Sequence, residues 1–94
     1  MPFRKARDVK RALQKKGFRE EKRDHWYYVF YHEGKKSLIY TRISHSQNDI
    51  SKALCGAMAR QIKLSGAQFE QFIDCTLTEE EYVGLMIEAR HLRE

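Results

Sequence analysis

The stretch HWYYVFYHEGKKSLIYTRI, residues 25 to 43, decides the fold because a short turn signal separates two β-rich segments. Tyr, Val, Phe, Ile and Thr dominate both segments, and these residue types favour strands. Gly34, in the intervening EGK, accepts the positive φ that a tight hairpin needs. The stretch therefore predicts antiparallel strands at 25–32 and 36–43, joined by a hairpin loop at 33–35.

Alternation along the first of these strands predicts which side contacts the core, since successive side chains point to opposite faces. One face carries the larger apolar groups, Trp26, Tyr28 and Phe30. The other face carries His25, Tyr27, Val29 and Tyr31. We expect the first face to be buried and the second to point outward.

A helix is predicted upstream of the hairpin, over residues 3–16. Its apolar stripe has three- and four-residue spacing and consists of Phe3, Ala6, Val9 and Leu13. A basic stripe lies on nearly the opposite side and consists of Arg4, Arg7, Arg11 and Lys15. Gly17 can take the left-handed conformation that stops the helix, and a short polar strand is expected at 18–22.

Helical signals fill the rest of the chain. A helix is predicted over 49–64, with Ser46 or Asn48 as its N-cap. Its buried side is expected to consist of Ile50, Ala53, Leu54, Ala57 and Met58. Two capping boxes indicate further helices, and they are formed by Ser65 with Gln68 and by Thr78 with Glu81. The second box opens a final helix over 78–93.

This order of elements predicts an α+β fold, an α-β-β-β-α two-layer sandwich with additional C-terminal helices. A three-stranded antiparallel sheet would carry the helices on one face. Double-stranded-RNA-binding domains share this topology, although topology alone does not give function. We expect a single domain over 1–94, with the α-β-β-β-α core in 1–64 and a helical extension in 65–94.

Composition and charge narrow the classes of function. Hydrophobic residues make up 41% and charged residues 33% of the 94 residues, which indicates a soluble globular domain. No apolar run approaches the about 20 residues that span a bilayer, so we expect a cytoplasmic protein without a membrane partner. Residues 1–42 contain thirteen Lys and Arg against five Asp and Glu, whereas residues 43–94 contain five against eight. A solvated basic helix would explain part of this asymmetry, but the basic residues continue into the strands, which favours a nucleic-acid partner.

Metal and cofactor sites are not indicated. Cys55 and Cys75 form no CxxC and are interpreted as small thiols in a reducing compartment. The four histidines, at positions 25, 32, 45 and 91, lack zinc-site spacing. The phosphate-binding, dinucleotide, zinc-protease and serine-hydrolase motifs are also absent. We therefore expect no metal and no cofactor.

His25 is the candidate catalytic residue, with His45 as a possible second histidine. A histidine of ordinary pKa can take a proton from a ribose 2′-hydroxyl or give one to a leaving 5′ oxygen. Lys22 and Arg23 could bind the scissile phosphate, and Tyr27 and Tyr31 could stack on unpaired bases. The alternative is an exposed strand histidine beside tyrosines that pack elsewhere. His45 has its own alternative, a loop residue near a helix N-terminus.

Three segments resemble the HicA family of small mRNA-cleaving toxins: LQKKGFREEKRDHWYYVF, then IYTRISH, then DISKALCGAMARQIKLSG. The first helix of that family ends in a lysine-rich stop before Gly and an aromatic residue, as Lys15-Lys16-Gly17-Phe18 does here. The family then has Gly-Ser-His at its second strand, where this chain has Arg23-Asp24-His25. A Pro-x-His-like segment follows in the family, and His45 fits it without the proline. The resemblance covers about residues 6 to 75.

The resemblance implies metal-independent endonucleolytic cleavage of mRNA by His25 and a HicB-type antitoxin as partner. The RNA-binding residues would be Arg4, Arg7, Arg11, Lys15, Lys22, Arg23, Tyr27 and Tyr31. One alternative is a noncatalytic RNA-binding or regulatory module on the same fold, although NDISKAL, with only Lys52, argues against ordinary duplex binding. Another is a structural protein that dimerises through its last helix. The oligomeric state stays open.

Overall fold

The hairpin lies at the centre of the fold in a computed structural model, which describes residues 4–44, 48–74 and 76–92. The strands are β1 (Arg4–Lys5), β2 (Phe18–Lys22), β3 (Trp26–His32), β4 (Lys35–Ile43) and β5 (Asp49–Ile50). The helices are α1 (Ala6–Lys15), α2 (Lys52–Gln61), α3 (Gly66–Ile73) and α4 (Glu79–Glu88). The α+β class and the α-β-β-β-α order with further C-terminal helices are confirmed.

The three-stranded sheet is antiparallel in the order β2-β3-β4. Glu33 and Gly34 connect the two longer strands, with φ angles of 53° and 78°. Positive φ at both central residues is the signature of a type I′ turn, whose twist matches that of the flanking strands. The turn pairs His32 with Lys35, so β4 begins one residue earlier than expected.

The predicted core face of the central strand is confirmed. Tyr28 and Phe30 are completely buried, and Trp26 is half-buried against the core. Val29 is buried too, although it points to the outer face of the sheet. Its cross-strand neighbours, Arg19 on β2 and Tyr40 on β4, flank it. All described helices contribute to the core on the inner face, so the outer face of the sheet carries no helix.

The first two predicted helices begin later than expected, for one shared reason. Arg4 and Lys5 form a two-residue ladder with Ile50 and Asp49, and Ala6 N–H donates to Asn48 O at 2.8 Å. These backbone bonds hold both segments extended, so α1 begins at Ala6 and α2 at Lys52. The N-cap of α2 is Ser51, which accepts from Leu54 N–H, and not Asn48. Ser46 lies outside the described residues.

The buried side of α2 differs in part from the expected one. Its buried residues are Cys55, Met58 and Ala59, whereas Ala53 is exposed. Of the five residues expected on the buried side, Ile50 and Met58 are buried and Leu54 packs against the core, so the prediction is correct in part. Cys55, interpreted from the sequence as a small thiol, is buried and free. Cys75 and Phe3 lie outside the described residues.

The C-terminal helices close the core. Both predicted capping boxes are present, at Ser65 with Gln68 and at Thr78 with Glu81. Tyr82 of α4 is fully buried and its hydroxyl donates to Ile62 O at 2.8 Å. Its ring contacts three other aromatic rings, those of Phe18, Phe30 and Phe72.

The last helix is shorter than predicted. It ends at Glu88, and Arg90 takes a φ of 65° while His91 N–H donates to Met86 O at 2.8 Å. This is the hydrogen-bond pattern of a Schellman stop, here with a non-glycine residue in the left-handed position. His91 therefore follows the helix and is exposed.

Gly17 joins α1 to the sheet at a position that no larger residue fits. Its φ is 95°, and a Cβ there would lie 2.8 Å from both Phe30 Cε1 and Glu79 Oε2. The neighbouring Lys16 is buried, and its ammonium donates to Phe72 O and to Leu77 O, the latter at 2.7 Å. Lys16 thus ties the end of α1 to the C-terminal helices and is not available to a ligand.

Candidate nucleic-acid site

His25 lies in the bend between β2 and β3, one residue before the strand that was expected to contain it. Arg23 N–H donates to His25 O at 2.9 Å and closes the bend. Asp24 contacts the histidine twice: its carboxylate accepts from His25 N–H at 3.0 Å, and its carbonyl lies 3.0 Å from His25 Nδ1. The backbone carbonyl of Asp24 therefore holds the His25 ring, and the Asp24 carboxylate accepts from the His25 backbone N–H.

The contact with the Asp24 carbonyl fixes the proton arrangement of the neutral ring. A carbonyl oxygen can only accept, so Nδ1 must carry the hydrogen and donate it. The other nitrogen, Nε2, then has a lone pair in the neutral imidazole. Nε2 has no hydrogen-bond partner in the part of the chain that the structure describes. The ring is partly exposed, so Nε2 is positioned to accept a proton from a ligand.

A cationic cleft of about 410 Å³ begins at the next residue, Trp26. It lies between the start of α1 and the segment entering β5, and its lining residues are Lys5, Ala6, Arg7, Lys10, Trp26, Asn48 and Asp49. Lys10 Nζ lies over the indole, 2.8 Å from the ring centroid. Asp49 is the carboxylate in this lining, and Lys5 neutralises it at 3.1 Å.

Lys22 extends this positive region along β2. It pairs with Trp26 across the ladder and is close enough to Lys10 for the two charges to interact. Burial lowers the pKa of Lys10, Glu20 raises it, and the charge of Lys22 lowers it again. Three cations, Arg7, Lys10 and Lys22, are thus grouped around Trp26, the residue that follows His25.

Arg4 is misplaced in the sequence prediction. It belongs to β1, outside the exposed stripe of α1, and its guanidinium contacts Glu70 and Asp74 of the α3 region, the latter at 2.8 Å. Its hydrogen bonds hold the pKa of the Asp74 carboxyl below its ordinary value. With its side chain only 21% exposed and bound by two carboxylates, Arg4 holds β1 against α3 and is not free to contact RNA.

The other predicted RNA-binding residues are divided between two surfaces. Arg7, Arg11 and Lys15 are exposed on α1, where Asp8 lies 3.9 Å from each of the two arginines. Tyr27 and Tyr31 lie on the outer face of the sheet, on the opposite side of the core. Arg23 reaches that face as well, where its guanidinium lies 5.1 Å from the Tyr27 ring. The bend with His25 joins β2 to β3 at one end of the sheet.

Sequence reasoning missed several residues of the cleft. Lys10 has the one-turn spacing from Arg7 that places both side chains on one side of a helix, so its position could have been found. Trp26 was assigned only to the core, although tryptophan is an amphipathic residue that is often half-buried. Asn48 was assigned only as a cap. His45, the possible second histidine, lies outside the described residues.

Metal clusters and membrane-spanning helices are both absent from the described ranges, 4–44, 48–74 and 76–92. No group of three or more His, Cys, Asp and Glu side chains there is placed to hold a metal ion. No helix there has the length and apolar character needed to cross a membrane.

Comparisons with known proteins identify no relative of this chain. No family model matches the chain, and neither a curated protein nor a solved structure is significantly similar to it. We therefore infer its function from the residues and their geometry.

Proposed function

We propose that this chain is a HicA-like toxin, an endoribonuclease that cleaves mRNA without a metal ion and uses His25 as its base. The observation that carries the proposal is the state of His25 in its bend. The Asp24 carbonyl orients the ring and leaves the Nε2 lone pair accessible, one residue from the cationic cleft. A general base next to phosphate-binding cations is the minimum arrangement for cutting RNA.

RNA cleavage without a metal ion needs a general base and cations that bind the phosphate. Nε2 of His25 removes the proton of a ribose 2′-hydroxyl, and the 2′ oxygen forms a bond to the adjacent phosphorus. The bond from phosphorus to the 5′ oxygen of the next nucleotide breaks, and that oxygen takes a proton from water or from an acid, the role expected of His45. The products are a 2′,3′-cyclic phosphate and a 5′-hydroxyl end.

The three grouped cations support the same step. Negative charge grows on the non-bridging oxygens as the 2′ oxygen attacks. Arg7, Lys10 and Lys22 would offset that charge, because guanidinium and ammonium groups form short, strong hydrogen bonds to phosphate. Arg7 and Lys22 are exposed, so both can reach a phosphate from solvent. A HicB-type antitoxin, the partner that the resemblance implies, would neutralise the toxin by covering this bend and its cations.

A noncatalytic RNA-binding module is the second candidate, and Asp24 is the observation that favours it. A carboxylate next to the scissile phosphate repels it, and this chain has Arg23-Asp24 where the HicA family has Gly-Ser. In that case the cleft would bind phosphate and His25 would only hold the bend closed. The two candidates differ in whether the 2′-hydroxyl reacts.

An RNA oligonucleotide tests this difference when it is compared with its fully 2′-O-methylated copy, both in excess EDTA. We expect the purified chain to cut the first and to leave the second intact, because methylation removes the proton that His25 takes. Gel separation of end-labelled RNA measures both. If both remain intact while both are bound, the noncatalytic module is the correct function.

A further inference from the structure

The outer face of the three-stranded sheet carries exposed apolar and aromatic side chains that cleavage at His25 does not require. Leu38 is 96% exposed and Tyr40 is 50% exposed, both on β4. The Tyr27 ring lies beside that of Tyr40, with 5.9 Å between centroids. Tyr31 lies four residues along β3 from Tyr27 on the same face, which is about 13 Å at the usual strand rise. We name the surface of Tyr27, Tyr31, Leu38 and Tyr40 the tyrosine face.

Cations surround the tyrosine face. Their side chains lie on the same side of the sheet, and they are Arg19, Arg23, Lys36 and Arg42. The Arg19 guanidinium lies 4.1 Å from the Tyr31 ring centroid, so arginine and aromatic groups alternate along the surface. Among the described residues of the three strands, Glu21 is the only carboxylate on this face, and it is bound by Arg23 and by Lys36, the latter at 2.9 Å.

Two shallow depressions lie on the part of this surface that contains Tyr27, Leu38 and Tyr40. One, of about 310 Å³, is lined by residues that include Arg23, Tyr27, Lys36 and Tyr40. The next, of about 320 Å³, runs from Leu38 and Tyr40 past Arg42 to Lys63, beyond the edge of β4. A path therefore begins at Arg23, two residues before His25, and crosses the face between rings and cations.

We propose that the tyrosine face binds single-stranded RNA, with bases stacked on Tyr27, Tyr40 and Tyr31 and phosphates held by the surrounding cations. The inference rests on the proposed function for the choice of RNA, and it adds the route by which the strand reaches His25. Stacking on aromatic side chains within a positive surface is how proteins bind single strands without reading sequence. In a duplex the bases are paired and stacked, so they are not free to cover the tyrosines.

Charge argues against a second copy of this chain as the occupant. A two-fold interface places each patch against itself. Each face carries four cations against one carboxylate, Glu21, so two surfaces with an excess of positive charge would then meet. Like charges brought together in this way disfavour association. A polyanion with flat apolar groups matches both features of the face, and single-stranded RNA is such a ligand.

Tyr40→Thr tests the tyrosine face, because threonine keeps a β-branched strand former and removes the ring. The probe is a fluorescent eight-nucleotide RNA that is 2′-O-methylated throughout, so binding is measured whether or not the chain cleaves RNA. We expect Kd from fluorescence anisotropy to rise about tenfold or more for Tyr40→Thr. Tyr40→Phe keeps the ring and is expected to stay within about twofold of the original chain.

Arg42→Gln tests the charges, and Lys52→Gln is its matched control, because Lys52 is an exposed lysine on α2 and lies in the helix layer. Losing one phosphate contact should reduce the slope of log K against log salt concentration by about 0.7 for Arg42→Gln. Lys52→Gln should leave the slope unchanged. Circular dichroism on every variant confirms that the sheet is intact.

Three outcomes would overturn the inference while leaving the cleavage proposal standing. The first is an unchanged Kd for Tyr40→Thr. The second is tighter binding of a duplex of the same sequence than of the single strand. The third is a dimer, detected by sedimentation, that Tyr40→Thr dissociates without weakening RNA binding, which would make the face a contact between copies. Conversely, RNA binding that depends on the Tyr40 ring, without any cleavage of RNA, would support the proposal for the tyrosine face and contradict the proposed nuclease activity.

Discussion

Replacing His25 with alanine is expected to slow RNA cleavage by about 10²- to 10⁴-fold, the usual contribution of a positioned general base. The substitution removes the Nε2 lone pair, and no other histidine in the described residues lies in this bend. The fold should persist, because the ring is partly exposed and makes one hydrogen bond, to the Asp24 carbonyl. Single-turnover cleavage rates measure the effect.

His91→Ala is the matched control for this substitution. His91 is exposed after the end of α4 and lines none of the described depressions, so its loss should leave the rate unchanged. Both variants should retain RNA affinity, since Arg7, Lys10 and Lys22 are untouched. A His25→Ala protein that cuts as fast as the original would show that another group removes the proton.

Tyr82→Ala should lower the free energy of unfolding by about 3–5 kcal/mol, the usual cost of truncating a buried aromatic ring. The Tyr82 ring is completely buried among Phe18, Phe30 and Phe72, and it joins the last helix to the sheet. A loss of this size is a large part of the stability of a domain of 94 residues. Urea denaturation followed by circular dichroism measures it.

Tyr82→Phe isolates the hydroxyl from the ring. The hydroxyl donates to Ile62 O at 2.8 Å, and burial raises the pKa of Tyr82, so the group stays protonated and keeps donating. Its removal should cost about 0.5–1.5 kcal/mol. Equal stabilities for Tyr82→Ala and the original chain would mean that the last helix does not complete the core.

Periodicity predicted the sheet well because strand and turn chemistry are local. The positive φ of Gly34 was expected, although that of Glu33 was not, and alternation along β3 correctly separated Tyr28 and Phe30 from the outward residues. The two capping boxes were found for the same reason, since each depends on residues only three positions apart.

The helix starts were missed because non-local pairing decides them. Arg4 has suitable spacing for the basic stripe of α1, but its backbone pairs with Ile50, some forty-six positions away. That pairing also moved the cap of α2 to Ser51. The end of α4 was missed because Arg90 accepts the left-handed conformation that usually marks glycine.

The candidate site was predicted in part. His25, Lys22 and Arg7 could be named from the sequence, whereas Lys10 and Trp26 required the approach of α1 to the end of the sheet. Arg4 was included in the site by mistake, because its carboxylate partners Glu70 and Asp74 lie far along the chain and could not be found from local spacing. Tyr40 was overlooked since its strand was interpreted only as part of the hairpin.

The central claim is that the chain cuts RNA by activating a 2′-hydroxyl with its own histidine, without a metal ion. Identification of the ends that it leaves on RNA in excess EDTA tests this most directly, because the ends record which oxygen attacked. We expect cleavage with a 5′-hydroxyl on one fragment and a 2′,3′-cyclic phosphate on the other. Fragments with 5′-phosphate and 3′-hydroxyl ends, or RNA left whole until a divalent metal is added, would contradict it.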